Sequence, residues 1–507
     1  MTHRAGSPAP HQDRAGRMAT VPTMPRRAAL ALGAAGALTA LVPGTAAAGP
    51  RPAADRFADP FGLGVASGDP APDGMVLWTR LAPDPSSQDG GMPPRPVEVD
   101  WEVAEDDRFA RVVQRGTATA APQDAHSVHV ELTGLAPGRE YHYRFRAGGH
   151  LSPPARTRTA PAPCAAVPAL TVAVASCANY GSGHFTAYRA LAADAPELVL
   201  HLGDYLYEND GDGVRDPGGP EPEDLAGYRR RHAHQRTDPD LRAAHAVAPW
   251  LVVWDDHELV NNWAGAEGKI APRRRAAAFK AYWEHMPLRR ASVPRGIDML
   301  LYRRIGWGSL ATFHMLDTRQ YRKPGGSITG AAQERWLLDG FRDSTAGWDV
   351  LGQQVFFAPR SDGGKRQTWD AHPDSRDRVV RGWTDAGVRN AVVLTGDEHE
   401  HYANELPADP GEPDGRIVGT ELVTTSVTSG GDGSDTSEDD GGGDGGGGDD
   451  PHIRFRADRR GYLLARFEPG LLRADFRTVE RVTEPGAPVR TAASFTVPDR
   501  EPGLHPG

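Results

Sequence analysis

One apolar run near the centre of the chain ends in a short polar motif: Leu198-Val199-Leu200-His201-Leu202-Gly203-Asp204-Tyr205-Leu206-Tyr207-Glu208. Its first five residues have strand length and are apolar except at His201. Strands of this kind are usually buried on both faces, as in the sheets of α/β proteins. Open α/β sheets place their binding sites where the strands end. We therefore expect the polar groups from Asp204 onward to lie in such a site.

Four further apolar runs end in the same way. They cover residues 170–175, 251–254, 310–316 and 391–395, and they are followed by Ser176-Cys177, Asp255-Asp256-His257-Glu258, Asp317-Thr318-Arg319 and Gly396-Asp397-Glu398-His399. Helical segments at 185–193 and 272–285 supply covering layers, so residues 168–498 predict an α/β domain. One acidic residue after a strand is usually a helix cap. So many strand ends with oxygen, nitrogen and sulfur donors instead predict a shared crevice.

The preceding segment, residues 57–161, has the alternating pattern of half-buried strands. The runs 75–79, 97–103, 128–132 and 141–145 are separated by Pro- and Gly-rich turns without helical stretches. This spacing is typical of a small β-sandwich. The run from Leu135 to Tyr141 resembles the turn before the tyrosine-corner strand of a fibronectin type III domain. No catalytic cluster is visible here, so we expect a role in packing or in shielding substrate.

The first 48 residues are predicted to be a signal peptide. Arg26 and Arg27 precede an uncharged run over 28–42, and Ala46-Ala47-Ala48 offers a cleavage site. The paired arginines fit the twin-arginine route, which makes that export machinery an expected partner. The uncharged run is too short for a good membrane span. We expect a secreted protein in the extracellular space, cell wall or periplasm; the alternative is an Ala-rich tail without this role.

Composition excludes several classes of protein. The 507 residues carry 57 Lys+Arg against 67 Asp+Glu, a net charge of -10, so no stable nucleic-acid partner is expected. The two cysteines, Cys164 and Cys177, cannot form a disulfide framework. Residues 430–450 are almost entirely Gly, Asp, Ser and Glu and are predicted to be a disordered loop, with an irregular calcium-binding repeat as the alternative. A monomer is expected.

The donors at the strand ends predict two different metal ions. One set offers a thiolate, a phenolate and an imidazole: Cys177, Tyr207 and His399. These donors together favour a ferric ion. The other set offers only oxygen atoms, which suit Ca²⁺, Mg²⁺ or Mn²⁺: Asp256, Asp397, Asn261 and Asn262. Asp204 can bridge the two ions with one carboxylate oxygen each.

A dinuclear centre of this kind predicts phosphoryl chemistry. It binds hydroxide between its ions at neutral pH and clamps a phosphoryl group for in-line attack. His257 is the candidate for polarising the phosphate or protonating the leaving oxygen, with a structural role as the alternative. Arg319 is the candidate for holding a phosphoryl oxygen, although arginines near a sheet edge are often ion-paired. With Asp204, these residues form the predicted catalytic set.

The same motifs resemble those of known metallophosphoesterases. The blocks at 203–204, 255–258 and 396–399 resemble divergent GD, GNH[DE] and GHxH blocks of the calcineurin-like and purple acid enzymes. The closer resemblance is to the alkaline phosphatase D family, and it covers about residues 60 to 480 through these blocks: Ala175-Ser176-Cys177, His201 to Glu208, Trp254 to Glu258 with Asn261-Asn262, Asp317 to Arg322, and Leu394 to Asp397. The resemblance implies a four-layer sandwich of two stacked sheets flanked by helices, behind a fibronectin-like domain. It also implies Fe³⁺ plus Ca²⁺ and cleavage of phosphodiesters and phosphomonoesters.

The resemblance also implies ligands for each ion. The implied Fe³⁺ ligands are Cys177, Asp204, Tyr207 and His399. The implied Ca²⁺ ligands are Asp204, Asp397 and one residue of the 255–262 block. In that block Asp256 occupies the Asn position of the GNH pattern, while Asn261 is an amide a few residues on; Asn261 is slightly favoured.

Two alternatives for function remain open from the sequence. A secreted metallophosphoesterase could be specific for phospholipids or nucleotides. A catalytically dead binding module is the alternative from another class, and the intact donor set argues against it. Turnover of a chromogenic phosphoester distinguishes the enzyme from the binding module.

Overall fold

The computed structural model describes residues 57–507 apart from 266–269, 324, 362–366, 410–411, 413–414 and 435–449. The predicted signal peptide at 1–48 lies outside the described residues, as does most of the predicted loop at 430–450. Both interpretations therefore stay predictions.

Strands predominate among the described residues. The strands of the first half are β1 (Val65–Ala71), β2 (Gly74–Arg80), β3 (Val97–Ala104), β4 (Val112–Ala120), β5 (Ser127–Glu131), β6 (Glu140–Ala147), β7 (His150–Leu151), β8 (Ala155–Arg158), β9 (Leu170–Ala175), β10 (Leu198–Leu202) and β11 (Trp250–Val253). Those of the second half are β12 (Arg303–Trp307), β13 (Ala311–Met315), β14 (Trp348–Gln353), β15 (Ala391–Thr395), β16 (His401–Pro407), β17 (Ile417–Val423), β18 (Ile453–Ala457), β19 (Gly461–Glu468), β20 (Leu471–Val479), β21 (Val489–Pro498) and β22 (His505–Pro506). The helices are α1 (Thr186–Ala193), α2 (Leu225–Arg236), α3 (Pro239–Val247), α4 (Pro272–His285), α5 (Gly330–Asp343) and α6 (Pro373–Ala386).

The first sheet has ten strands in the order β22-β21-β20-β19-β9-β10-β11-β1-β2-β5. Its central strands β9, β10 and β11 run parallel, with Leu200 opposite both Val174 and Leu251. Every residue of β10 and β11 is buried. This burial on both faces is the physical reason why their sequences are apolar throughout.

The second sheet has seven strands in the order β12-β13-β14-β15-β17-β16-β18. It is stacked on the first, since Val172 and Leu200 of one sheet share a buried cluster with Phe313 and Val392 of the other. Helices α1, α3 and α4 add side chains to that cluster, whereas α5 and α6 pack with alternate residues of the second sheet in a separate cluster. The arrangement agrees with the expected mixed α/β fold of two sheets with flanking helices.

The strands of residues 57–161 are shared between two sheets. Strands β1, β2 and β5 extend the ten-stranded sheet, and β1 runs parallel to β11 with Gly68 opposite Trp250. The remaining strands form a third sheet in the order β4-β3-β6-β7, with β8 paired to β6. The two groups enclose a buried cluster that includes Met75, Leu77, Val99 and Phe145. A sandwich core thus forms, but one of its sheets continues into the α/β part.

Tyr141 bonds back to the turn before its strand, as in a tyrosine corner, whereas the fibronectin-like assignment of residues 57–161 stays a prediction. The hydroxyl of Tyr141 accepts a hydrogen bond from the backbone N–H of Ala136 at 3.0 Å, the back-bonding that defines such a corner. The division into 57–161 and 168–498 stays a prediction, because all the described residues fall in one compact unit. Among those residues, no helix is both long and apolar enough to cross a bilayer.

Candidate metal centre

The ends of β9 and β10 lie side by side and bring the first donors together. Pairing continues past both strands, since the N–H of Cys177 donates to Gly203 O at 3.1 Å and that of Ala178 donates to Asp204 O at 2.9 Å. Gly203 has a φ of +106°, and a Cβ there would lie 2.4 Å from Cβ of Asp255. Only glycine allows the β10 and β11 ends to approach this closely.

The second sheet contributes its donors from the end of β15. Gly396 lies against Ser176 and Leu202, so the ends of β9, β10 and β15 meet at one edge. The His399 loop is held there by Thr425, whose hydroxyl donates to His399 O at 2.9 Å. The crevice predicted from the sequence is therefore formed by two stacked sheets.

Asp204 is the common member of three groups of side chains whose ligand atoms lie close enough together to hold a metal ion. In each group, one ligand atom per residue lies within 4.8 Å of the others: Cys177, Asp204 and His399; Asp204, Asp256 and His257; and Asp204, Asp255, Asp256 and Asp397. A carboxylate shared in this way has the position that a bridging ligand requires, and the bridging role of Asp204 stays a prediction.

The two carboxylate oxygens of Asp204 face different partners. Oδ2 accepts a hydrogen bond from the Tyr207 hydroxyl at 2.9 Å and lies 3.6 Å from Sγ of Cys177. The same hydroxyl lies 3.1 Å from Nε2 of His399. Oδ1 instead accepts the backbone N–H of His257 at 3.1 Å. The geometry thus separates a sulfur, phenol and imidazole side from a carboxylate side.

Several of these residues have left-handed backbone conformations, which are uncommon for residues other than glycine. The φ values are positive at Cys177 (56°), Asp204 (53°), Asp397 (64°) and His399 (56°). Such conformations cost about 1–3 kcal/mol each and cluster at functional sites. Four of them among the predicted ligands indicate that the fold is organised to direct these side chains into the crevice.

The buried carboxylates are left short of positive charge. Burial raises the pKa of Asp204 and Asp255 well above the usual Asp range. Burial also raises the pKa of Asp397 to about 6 and that of Glu258 to about 8. Uncompensated buried charge is strongly unfavourable, and a nearby cation restores the ionised form. The cluster therefore suits one or more metal ions.

Arg319 is fully buried against the carboxylate side. Its Nε donates to Asp255, while Nη2 lies 3.3 Å from Asp256 and 3.5 Å from Asp397. Nη1 donates to Gln367 at 2.7 Å. Because each of these nitrogens has a protein acceptor, the geometry favours a role in positioning the carboxylates. The contact with a phosphoryl oxygen expected from the sequence stays a prediction.

His257 lies at the edge of the cluster with one ring nitrogen anchored. Its Nδ1 lies 2.6 Å from Oε2 of Glu208. Burial would lower the pKa of His257, but Asp204 and Glu208 outweigh it and raise the value to about 10. The anchored ring is suited to hold a proton at Nε2, the nitrogen opposite the anchor.

The structure brings Asp256 into the cluster and places Asn261 differently. Asp256 belongs to two of the three ligand groups. The Asn261 side chain is exposed, and its backbone N–H donates to Glu208 at 2.8 Å. Asn262 is also exposed, with its N–H directed at Asp256. Asp256 thus lies among the other carboxylates, and which of Asp256, Asn261 and Asn262 binds the second ion stays a prediction.

Two supporting features were missed from the sequence. Glu258 accepts hydrogen bonds from the backbone N–H groups of Asp204, Tyr205 and Asp255 and so ties the β10 end to the β11 end. The buried polar run 424–429 follows β17, and the Ser429 hydroxyl donates to Cys177 O at 2.9 Å. Its Thr/Ser pattern, interrupted only by Val427, beside an apolar strand was the available signal.

Comparison with known proteins agrees with this geometry. The sequence matches the PhoD-like phosphatase family over residues 172–476 and the N-terminal domain of that family over residues 44–161. It is 45% identical over 489 residues to alkaline phosphatase D of Bacillus subtilis (strain 168), covering 89% of this chain and 83% of that protein. A solved structure, "Structure of PhoD", has a TM-score of 0.84 and 44% identity, covering 89% of this chain and 93% of that one. The chain therefore belongs to the PhoD-like phosphatase family and is a phosphoric ester hydrolase.

Proposed function

We propose that this protein is a secreted, metal-dependent hydrolase that cleaves both phosphodiesters and phosphomonoesters. The observation that carries the proposal is the shared carboxylate of Asp204, which belongs both to the group with Cys177 and His399 and to the group with Asp255, Asp256 and Asp397. Dinuclear sites clamp the attacking and leaving oxygens of a phosphoryl transfer, which is the chemistry of the family.

We propose Fe³⁺ for one side of the centre and Ca²⁺ for the other. The side formed by Cys177, Tyr207 and His399 with Asp204 offers the mixed donors that suit a ferric ion. The side formed by Asp256 and Asp397 with Asp204 offers only oxygen, which suits calcium. The donor types and the uncompensated buried charge support the fit of both ions. When bound, the ions supply Lewis acidity toward phosphoryl oxygens and lower the pKa of water.

The chain's own residues orient the substrate and move the proton. His257, anchored at Nδ1 by Glu208, holds a proton at Nε2 and donates it to the leaving oxygen. Arg319 keeps the carboxylates of Asp255 and Asp256 in place and adds positive charge where a phosphoryl oxygen binds. Replacing Glu208 by Gln tests the anchor: we expect kcat to fall about 10- to 100-fold with KM little changed, as for loss of an orienting partner.

Turnover is the decisive test of the proposal. The purified chain is assayed with a chromogenic diester and a chromogenic monoester, and its metals are measured by elemental analysis. We expect hydrolysis of both esters with iron and calcium present. Hydrolysis of neither ester would support the dead binding module, whereas activity confined to phospholipids or nucleotides would support the narrower enzyme.

Export is proposed from the sequence of the first 48 residues. We expect the protein to leave the cytoplasm by the twin-arginine route and to act as a monomer without a nucleic-acid partner. Replacing Arg26 and Arg27 together by Lys should retain the protein inside the cell, because that route requires the paired arginines. Unchanged export of this variant would contradict the proposed route.

A further inference from the structure

A cavity of about 670 Å³ lies beside the loop that carries Arg319. One wall is residues 320–323, the opposite wall is the start of α5 up to Gln333, and Tyr302 closes one side. This volume is in the range of pockets that bind small organic ligands. The metal centre does not use this cavity, so its chemistry requires its own explanation.

The cavity has a positive lining in a negative protein. The chain carries a net charge of -10, yet Arg322 and Lys323 both line the cavity. Among the described residues of the lining, none is Asp or Glu. Lys323 is exposed at the mouth and Arg322 is buried. This arrangement favours a ligand with negative charge.

Arg322 carries an unused donor that is buried next to the cavity. Its Nε donates to Thr318 O at 2.8 Å and its Nη1 donates to Gln367. Its Nη2 is buried without a hydrogen-bond partner among the described residues, and the side chain is 4% exposed. Burial, followed by the charge of Arg319, lowers the pKa of Arg322 to about 9. A buried donor left unpaired is unfavourable, and the charge of this guanidinium next to the cavity attracts an anion.

The start of α5 adds further donors to the same cavity. Thr329 makes no side-chain capping bond, and Gly330, Ala331 and Ala332 all line the cavity. The first N–H groups of a helix have no intrahelical acceptors and carry partial positive charge. Gly330 has a φ of +72°, and a Cβ there would lie 2.8 Å from Cβ of Tyr321. Glycine thus lets the helix start approach the Tyr321 wall.

Two tyrosines, Tyr302 and Tyr321, also line the cavity. The ring centroids of Tyr302 and Tyr321 are 5.9 Å apart, and Tyr302 lies 5.0 Å from the ring of Trp336. Flat aromatic walls pack well against an apolar or ring-containing body. We propose that this cavity binds a small organic anion, with its ring against Tyr302 and Tyr321 and its carboxylate, sulfonate or phosphate on Arg322 and the start of α5.

One amide connects this cavity to the metal centre. Oε1 of Gln367 accepts hydrogen bonds from both Arg319 and Arg322, and Arg319 holds the carboxylate side of the centre. The anion could be a second arm of the phosphoester substrate itself or a separate small molecule. Both sources share the chemistry of a ring that carries an anionic group, and kinetics can distinguish them.

Binding is tested by calorimetric titration of the full chain with 1-naphthalenesulfonate. We expect saturable binding at one site, weakened at least tenfold by Arg322→Met. Ala332→Trp, at an exposed helix position that lines the cavity, adds bulk to the cavity while Arg322 is kept, and should weaken binding equally even if the Arg322 variant does not fold. Arg335→Met removes an exposed arginine from the same helix and should leave binding unchanged. Absence of saturable binding, or equal binding by wild type and Ala332→Trp, would overturn the proposal.

The source of the anion is tested with two diesters, one with a carboxyphenyl (anionic aryl) second arm and one with a methyl second arm. If the cavity holds the substrate's arm, the naphthalenesulfonate should compete only with the aryl-armed diester. If the cavity holds a separate molecule, adding naphthalenesulfonate should change kcat by the same factor for both diesters. No effect on either diester would overturn the connection through Gln367. The titration requires no turnover, so an inactive enzyme would contradict the proposed function while the binding result still decides this proposal.

Discussion

The two sides of the Asp204 carboxylate differ in donor chemistry and in charge. On one side Cys177, Tyr207 and His399 offer three different donor types, and Cys177 and Tyr207 are almost completely buried. On the other side the donors are carboxylates, with the Arg319 guanidinium already among them. Asp397, on that side, keeps 18% of its side chain exposed.

This difference predicts that the two sides bind their ions with unequal affinity. Around Cys177 burial, followed by the charge of Asp204, raises the pKa of the thiol well above its usual value, so a metal must supply the charge that stabilises the thiolate. On the carboxylate side Arg319 supplies part of the positive charge, so a second ion gains less by binding. We therefore expect one tightly held ion and one exchangeable ion around the same bridge.

Removing the bridge should produce the largest effect, because both sides depend on it. Asp204→Asn keeps the shape of the side chain but loses its charge. We expect kcat/KM to fall about 10³-fold or more for both the diester and the monoester, with both metals reduced in elemental analysis. Asp385→Asn, at an exposed position of α6, is the matched control and should retain activity. If Asp204→Asn spared either activity, the two reactions would not share a centre.

The mixed-donor side should have a visible colour. Phenolate and thiolate donors on ferric iron give charge-transfer absorption, and Tyr207→Phe should weaken or shift that band. Cys177→Ser should lower iron affinity by more than the roughly 10- to 100-fold typical of losing an outer-shell partner. Absorption spectra and iron content measured on the same samples check this. A colourless, iron-free and fully active enzyme would contradict the ferric assignment.

The carboxylate side should lose its ion to a chelator that spares iron. We expect activity to disappear while the colour stays, and Ca²⁺ to restore activity better than Zn²⁺, because oxygen donors suit the harder ion. Titration of activity against added metal measures this. Full activity without a second ion would contradict the two-metal mechanism.

Much of the site could be predicted because it sits at strand ends. The apolar runs 198–202 and 391–395 match β10 and β15 residue for residue, and parallel strands carry their following residues to one edge. Strand position therefore predicts that Cys177, Asp204 and His399 lie close together, as they do, whereas their role as metal ligands stays a prediction. Sequence alternation could not show that β1, β2 and β5 join the ten-stranded sheet, because it reports which face is buried and not which neighbour a strand pairs with.

Other features depend on side-chain partners that no pattern specifies. Asp317 follows β13 like the other acidic residues, but its carboxylate accepts the N–H groups of Arg319 and Gln320 in its own loop. This is the capping role that one acidic residue after a strand usually has. The Gln367 contact to Arg319 joins residues 48 positions apart. Only the folded chain shows such pairs.

The smallest expected effect separates the two candidates for the calcium ligand. Asp256 lies within the carboxylate group around Asp204, whereas Asn261 exposes its amide and uses its backbone N–H to orient Glu208. Asn261→Ala removes only that exposed amide, so the calcium concentration for half-maximal activity should rise by less than about threefold. This corresponds to a loss of under about 0.7 kcal/mol in the free energy of calcium binding. Asp256→Asn removes a charged donor and should raise this calcium concentration about tenfold or more, which corresponds to about 1.4 kcal/mol of binding free energy. Calcium titrations of both variants under identical conditions measure the ratio. A larger shift for Asn261→Ala than for Asp256→Asn would identify the Asn261 amide as the calcium ligand. The calcium ion would then be bound by one fewer charged carboxylate than the geometry indicates.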